Sequence, residues 1–329
     1  MFKRALRRSN SIPIALCLCA LLRAQDPVRV EAADEAMGGT FSVAVYGGNR
    51  TQLDAAVAAA FQELHRLDRL LSNYDPGSEW SNVNRNAAER PVSASRELFH
   101  VLEDCLRYSR ESEGAFDITV GPLMKLWGFY KGEGMLPRDG EVARVIERVG
   151  HRHVLLDREG ATVRFDRYGV ELDPGGIGKG YAVDRMIEVL KARGVNIALV
   201  SAAGSSIYGM GAPPDSPPGW PITIREPGDE RRTAGTVFLK DMSLSTSGSY
   251  EKFFWAAGRR YSHIMDPRTG YPAQGASSVS VLAPRTLDSE AWAKPYFING
   301  RTWTVKHKPA KFRVFYCDDV KGQACTWIP

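Results

Sequence analysis

The stretch E171-L-D-P-G-G-I-G-K-G-Y-A-V-D-R-M186 decides how this chain is read. It runs from an extended start through glycines and a lysine into a helical pattern. Val183, Met186, Ile187 and Leu190 share one apolar face of that pattern, and Gly194 ends it. Glycines let backbone N–H groups approach an anion closely. A helix starting near Gly180 turns its positive end toward that anion, and Lys179 adds a full charge. The loop is not a Walker loop, because Asp173 stands five before Gly178 and Gly180 follows Lys179. Glycines at 175, 176, 178 and 180 also miss the G-x-G-x-x-G spacing. A phosphate cradle and a plain strand-to-helix turn both fit these residues.

Working outward, T-F-S-V-A-V-Y (40–46) alternates like a strand. Leu53, Val57, Phe61, Leu64, Leu67 and Leu71 then form a helical stripe, with His65 beside it and partly exposed. The patterns predict helices over 94–111 and 139–149, the second stopped by Gly150, and a hairpin over 154–166. Beyond the glycine loop, 196–204 reads as a buried strand and the Pro-rich 211–220 as a loop. Segments 221–225, 235–239 and 277–283 read as strands. Helices and hairpin-like strands are interspersed, so the fold class is α+β with one dominant domain.

Composition is that of an ordinary globular protein, 43% apolar and 25% charged. The net charge of +5 is partly local, since Lys3, Arg4, Arg7 and Arg8 crowd the N-terminus. The remainder is nearly neutral and carries no nucleic-acid stripe. Those basic residues precede the apolar run 12–22, which is short for a membrane span. Residues 1–24 therefore read as a signal peptide or an N-terminal membrane anchor, with Cys17 and Cys19 as a lipidation alternative. The domain proper is 25–329, and the expected location is exported: periplasmic, or on the outer face of the cytoplasmic membrane. Cys105 sits in a helical core pattern. Cys317 and Cys325 flank a turn and either form a disulfide in an oxidising compartment or remain two thiols.

Five further motifs accompany the loop: A-M-G-G-T-F (36–41), L-S-N-Y-D-P-G-S-E-W-S-N-V-N-R (71–85), G-A-F-D-I-T-V-G-P-L-M-K-L-W-G-F (114–129), S-L-S-T-S-G-S-Y-E-K-F-F (243–254) and Y-S-H-I-M-D-P-R-T-G-Y-P-A (261–273). Each is weak alone. Together, and in this order from about residue 36 to 300, they resemble the ApbE family of FAD:protein FMN transferases. The resemblance implies a single T-fold-like domain with mixed and antiparallel sheets packed by helices. It also implies transfer of the FMN half of FAD to a threonine hydroxyl of a target protein, forming a phosphoester and releasing AMP. By similarity, Met37, Tyr74, Ala115, Phe116, Asp117, Asp173, Lys179, Ser249, Tyr250, Glu251, Ile264 and Met265 contact the flavin nucleotide. Read without the family, Tyr74 is a turn residue, Asp117 a cap and Lys179 a solvated lysine. His263 is the candidate general base, because imidazole titrates near neutrality and accepts a hydroxyl proton. Asp266 or Thr269 orients its turn.

The family binds magnesium through a carbonyl of the glycine loop and the side chains of a D-A-[WL]-x-T motif. Gly176 takes the carbonyl position, and the motif reads E290-A-W-A-K294. Glu290 keeps an oxygen ligand on a longer arm. Lys294 has no lone pair to give and repels a cation. Three outcomes follow: the ammonium sits where the metal would, the metal shifts toward Glu290 and Asp288 with Lys294 paired to one of them, or Lys294 points to solvent and activity is lost. A second departure is S-A-A-G-S-S (201–206), where the family has Gly-Gly, and a small adjustment is expected at Ala203. The competing functions are hydrolysis of FAD to FMN and AMP, and non-catalytic FAD binding. The implied partner is an exported acceptor protein with a flavinylation threonine, such as a subunit of an electron-transfer complex.

Overall fold

Alternation of apolar and polar residues builds the central sheet. Its strands are β1 (Val28–Ala36), β2 (Gly39–Gly47), β3 (Ile197–Ala202), β4 (Ser206–Met210), β5 (Met242–Gly248), β6 (Ala276–Ala283), β7 (Arg313–Asp318) and β8 (Thr326–Trp327). They lie side by side in chain order, and each pairs antiparallel with the next. Every strand pair among the described residues is antiparallel, so within the expected α+β fold the central sheet is an antiparallel meander. The chain is seen in a computed structural model that describes residues 26–319 and 325–329. The export segment 1–24 expected from the sequence lies outside the described residues.

The two faces of the sheet serve different cores. Phe41, Val43, Val45, Val200, Val279 and Val281 point toward the helices. Ala44, Ile207, Leu244, Leu282 and Phe315 point the other way, under the hairpin Trp220–Glu226 and Asp229–Leu239. Burying one such aliphatic or aromatic side chain contributes about 1.5–3 kcal/mol, so a one-residue slip in register costs a whole face.

Helices α1 (Arg50–Leu71), α2 (Arg96–Glu111), α3 (Gly178–Ala192) and α4 (Thr286–His307) supply the facing layer. The α1 stripe expected from its spacing is buried at all six positions, and His65 bonds Asp34 at 2.8 Å. Helix α2 starts two residues later than its pattern suggests, because Ser95 caps it by accepting from Leu98 N. The helix expected over 139–149 is only Glu141–Ile146. Helix α3 begins at Gly178, two residues before the expected start. Helix α4 was not visible in the sequence. Two amides of its first turn, Thr286 N and Leu287 N, donate to Asp184 of α3 at 2.7 and 2.9 Å, and Gly300 breaks it (φ 81°, ψ 175°). The Cys317–Cys325 disulfide is formed, and Cys105 is buried.

Candidate active site

The long excursion between β2 and β3 returns to the sheet through the glycine loop, and its position is held by local bonds. Helix Glu79–Asn86 presents Asn84, whose amide closes on both backbone groups of Leu172 at 2.8 and 3.0 Å. Trp80 Nε1 donates to the same carbonyl at 3.1 Å. The W-S-N-V-N part of the 71–85 motif therefore aims the chain into Asp173. Asp173 then turns it: Oδ1 accepts from Gly175 N at 2.6 Å, and Oδ2 accepts from the Tyr130 hydroxyl.

The sequence motifs converge here. Phe116 Cε2 lies 3.0 Å from where a side chain on Gly176 would begin, so this glycine is needed for close approach. Met37 occupies a two-residue β1–β2 turn with positive φ at both Met37 (51°) and Gly38 (71°). A left-handed backbone is unusual for a bulky side chain, and it brings the Met37 sulfur to 3.9 Å from the Gly178 Cβ position. Lys179 Nζ reaches over Gly39 from the first turn of α3, 3.8 Å from that glycine's Cβ position. Ala203 adopts φ 50° with its methyl 3.0 Å from the same point on Gly39. Tyr74 is exposed (74%), with its ring 6.0 Å from Tyr130.

His263 sits on the turn after Ser262, next to Phe129. Its Nδ1 faces the Lys252 carbonyl at 3.1 Å, so Nδ1 carries the proton and Nε2 the lone pair. Burial, helped by the charges of Lys294, Lys252 and Lys179, pushes its pKa down to about 4. Asp266 organises the adjacent turn, accepting from Arg268 N at 3.0 Å and from its guanidinium at 2.9 Å.

Other expected contacts have different surroundings. Asp117 caps its own turn, accepting from Thr119 N at 2.9 Å and His151 N at 2.6 Å. Ala115, Ile264 and Met265 are buried, with the Ile264 and Met265 side chains inside the cores. Ser249 bonds Arg260 and the Ser277 carbonyl beside a cleft of ≈ 390 Å³, and Glu251 pairs with Arg225 at 3.7 Å. Tyr250 packs over Gly248, where an added Cβ would lie 2.8 Å from its ring. Sequence reasoning missed Tyr130, which holds Asp173 and accepts from Asn73 Nδ2 at 3.3 Å. Its signal was its place one residue past the W-G-F motif.

The residues do not fit the divalent ion that the resemblance implies. Glu290 Oε2 accepts from Gly180 N at 2.5 Å, so the carboxylate caps α3 itself. The Gly176 carbonyl accepts from Lys294 Nζ at 3.3 Å. Asp288 accepts from the Tyr108 hydroxyl at 2.5 Å. Among the described residues no group of three or more His, Cys, Asp or Glu is placed to hold a metal. The Gly180 amide, expected to face a phosphate, is likewise taken by Glu290. An orphan N–H at a helix start draws the nearest buried carboxylate.

Two ammonium groups, a glycine-rich helix start and a neutral imidazole thus meet at one end of an antiparallel sheet. Such a set of groups suits a phosphorylated compound held beside a base. The ApbE family model matches residues 37–310, and the chain belongs to the ApbE family. Similar proteins include a Treponema pallidum FAD:protein FMN transferase, 32% identical over 284 residues, spanning 82% of this chain and 78% of that one. One from Haemophilus influenzae is 29% identical and spans 89% and 87%. Among solved structures, the ApbE protein of Thermotoga maritima aligns with a TM-score of 0.83 at 27% identity, covering 91% of this chain and 96% of that one. The apo flavinyl transferase ApbE of Pseudomonas stutzeri aligns with a TM-score of 0.81 at 28% identity, covering 92% and 95%.

Proposed function

We infer that this protein transfers the FMN half of FAD to a threonine hydroxyl of another protein. The observation that carries the reading is the neutral His263 imidazole, its Nδ1 tied to the Lys252 carbonyl and its charge state governed in part by Lys179 and Lys294. Family membership and the names of the relatives support it.

The chemistry follows from these groups. His263 Nε2 takes the threonine proton as the oxygen attacks the phosphorus of the FMN half. That P–O bond forms while the P–O bond to the AMP half breaks, and AMP leaves with the electron pair. Lys179 offsets diphosphate charge, and Tyr74 offers an aromatic face at the rim. The magnesium implied by the resemblance is assigned no step, because its nominal ligands are engaged by Gly180 N and Lys294 Nζ.

The acceptor is an exported protein, of the kind found in electron-transfer complexes. This chain acts beside it, in the periplasm or on the outer face of the membrane. The Cys317–Cys325 disulfide supports an oxidising compartment. Product analysis tests the reading: the protein is incubated with FAD alone, then with an acceptor domain carrying a D-[GS]-x-[TS]-[GS]-[AT] segment, the kind of acceptor that the family resemblance implies. AMP released only with acceptor, and flavin fluorescence surviving on the denatured acceptor, are the expected results. AMP without acceptor means hydrolysis, and tight FAD with neither product means a binding protein. Either overturns the transferase.

A further inference from the structure

Lys294 follows Glu290 by one helical turn on α4, so both side chains approach the glycine loop from the same face. Its Nζ donates to the Gly176 carbonyl at 3.3 Å and to the Glu290 carbonyl at 3.4 Å. Its Cε and Cδ lie 3.4 and 3.6 Å from where a Gly176 side chain would begin, so the glycine leaves space for the lysine stem. The ammonium is neither turned to solvent nor ion-paired within 4.0 Å of Glu290 or Asp288 among the described contacts. Glu290, Lys179 and Asp173 are the charged groups that face it; burial pulls its pKa below the usual lysine value, the Glu290 and Asp173 carboxylates hold it up, and its charge reaches His263.

A diphosphate that joins two esterified halves carries two negative charges near neutral pH. Lys179 and Lys294 supply two positive charges beside the loop, one over Gly39 and one on the Gly176 carbonyl. A fixed ammonium performs the electrostatic part of a cation's task, neutralising charge without giving ligand geometry. Resting on the transferase reading, we propose that Lys294 is a built-in cation that takes the place of the divalent ion, so that this protein binds FAD and transfers FMN without added metal.

Two measurements on the full-length protein test this. The first is calorimetric titration of magnesium chloride into the protein without FAD. The second is FAD affinity, from flavin fluorescence, in EDTA and in magnesium chloride. Both are made on the wild type, Lys294→Thr and Lys294→Met. The wild type is expected to bind no magnesium and to hold FAD equally in the two buffers. Lys294→Met, which removes the charge and offers no ligand, should weaken FAD by about ten-fold or more in both buffers. Lys294→Thr should weaken FAD in EDTA, recover in magnesium and bind magnesium by calorimetry. Magnesium binding by the wild type, an about ten-fold loss of its FAD affinity in EDTA, or an unaltered Lys294→Met each overturns the built-in cation. If a variant fails to fold, the wild-type pair of measurements decides alone. Absence of FAD binding by the wild type in both buffers rejects the transferase reading itself, a result the FAD-free calorimetry keeps separate.

Discussion

His263 is neutral for two reasons that act in the same direction. Burial penalises the imidazolium, and three lysines repel it. A base must be neutral to accept a proton, so its acid limb marks its pKa. In the free enzyme that value is pushed down to about 4 from 6.5. The kcat/KM profile reports the free enzyme, so it is expected to stay level from neutrality to about pH 5 and to fall only below that. Bound FAD brings negative charge to the same lysines and raises the pKa, so the limb of kcat should lie at higher pH than that of kcat/KM. Half-loss of kcat/KM near pH 6.5 would mean an exposed, ordinary histidine. At this scale the motifs made His263, Lys179 and Phe116 legible, because glycine spacing and residue chemistry are local signals. Tyr130 and the cap formed by Glu290 were not legible. They depend on which side chain lies across a loop from a segment 43 or 110 positions away.

Helices α3 and α4 meet at Gly180, and the contact leaves no room for a methyl group. A Cβ there would lie 2.7 Å from the Thr286 carbonyl oxygen and 2.8 Å from Glu290 Oε2. Gly180→Ala should therefore separate the helices, break the α3 cap and cost about 1–3 kcal/mol of stability. Denaturant unfolding checks this, and an unchanged midpoint would mean that the helices are not in contact. The visibility of the two elements differed for a physical reason. Helix α3 has one buried stripe, so its 3.6-residue period shows. In α4 the run Thr286–Ala293 is buried on every side, with Asp288, Ser289 and Glu290 among it, and no stripe survives. Strand β1 hid for the opposite reason. Only Val30 and Ala36 of its nine residues are buried, as suits an edge strand.

Across the whole molecule, the last strands of the sheet are tied by Cys317–Cys325, with a sequence separation of 8. Closing so short a loop in the unfolded chain is worth about 2–3 kcal/mol. Reduction should lower the guanidinium midpoint accordingly. A reduced protein as stable as the oxidised one would show that the bridge does not stabilise the fold. The meander could not be read from the chain alone, because strand order depends on pairings across the 149-residue gap between Gly47 and Ile197. The catalytic reading of this architecture stands on one imidazole, and the most direct measurement is flavin retained on the denatured acceptor with saturating FAD. With the wild type, the acceptor should gain the mass of FMN less one water. With His263→Ala the rate should fall by about 10²–10⁴-fold while FAD still binds. Transfer by His263→Ala at the wild-type rate would contradict it.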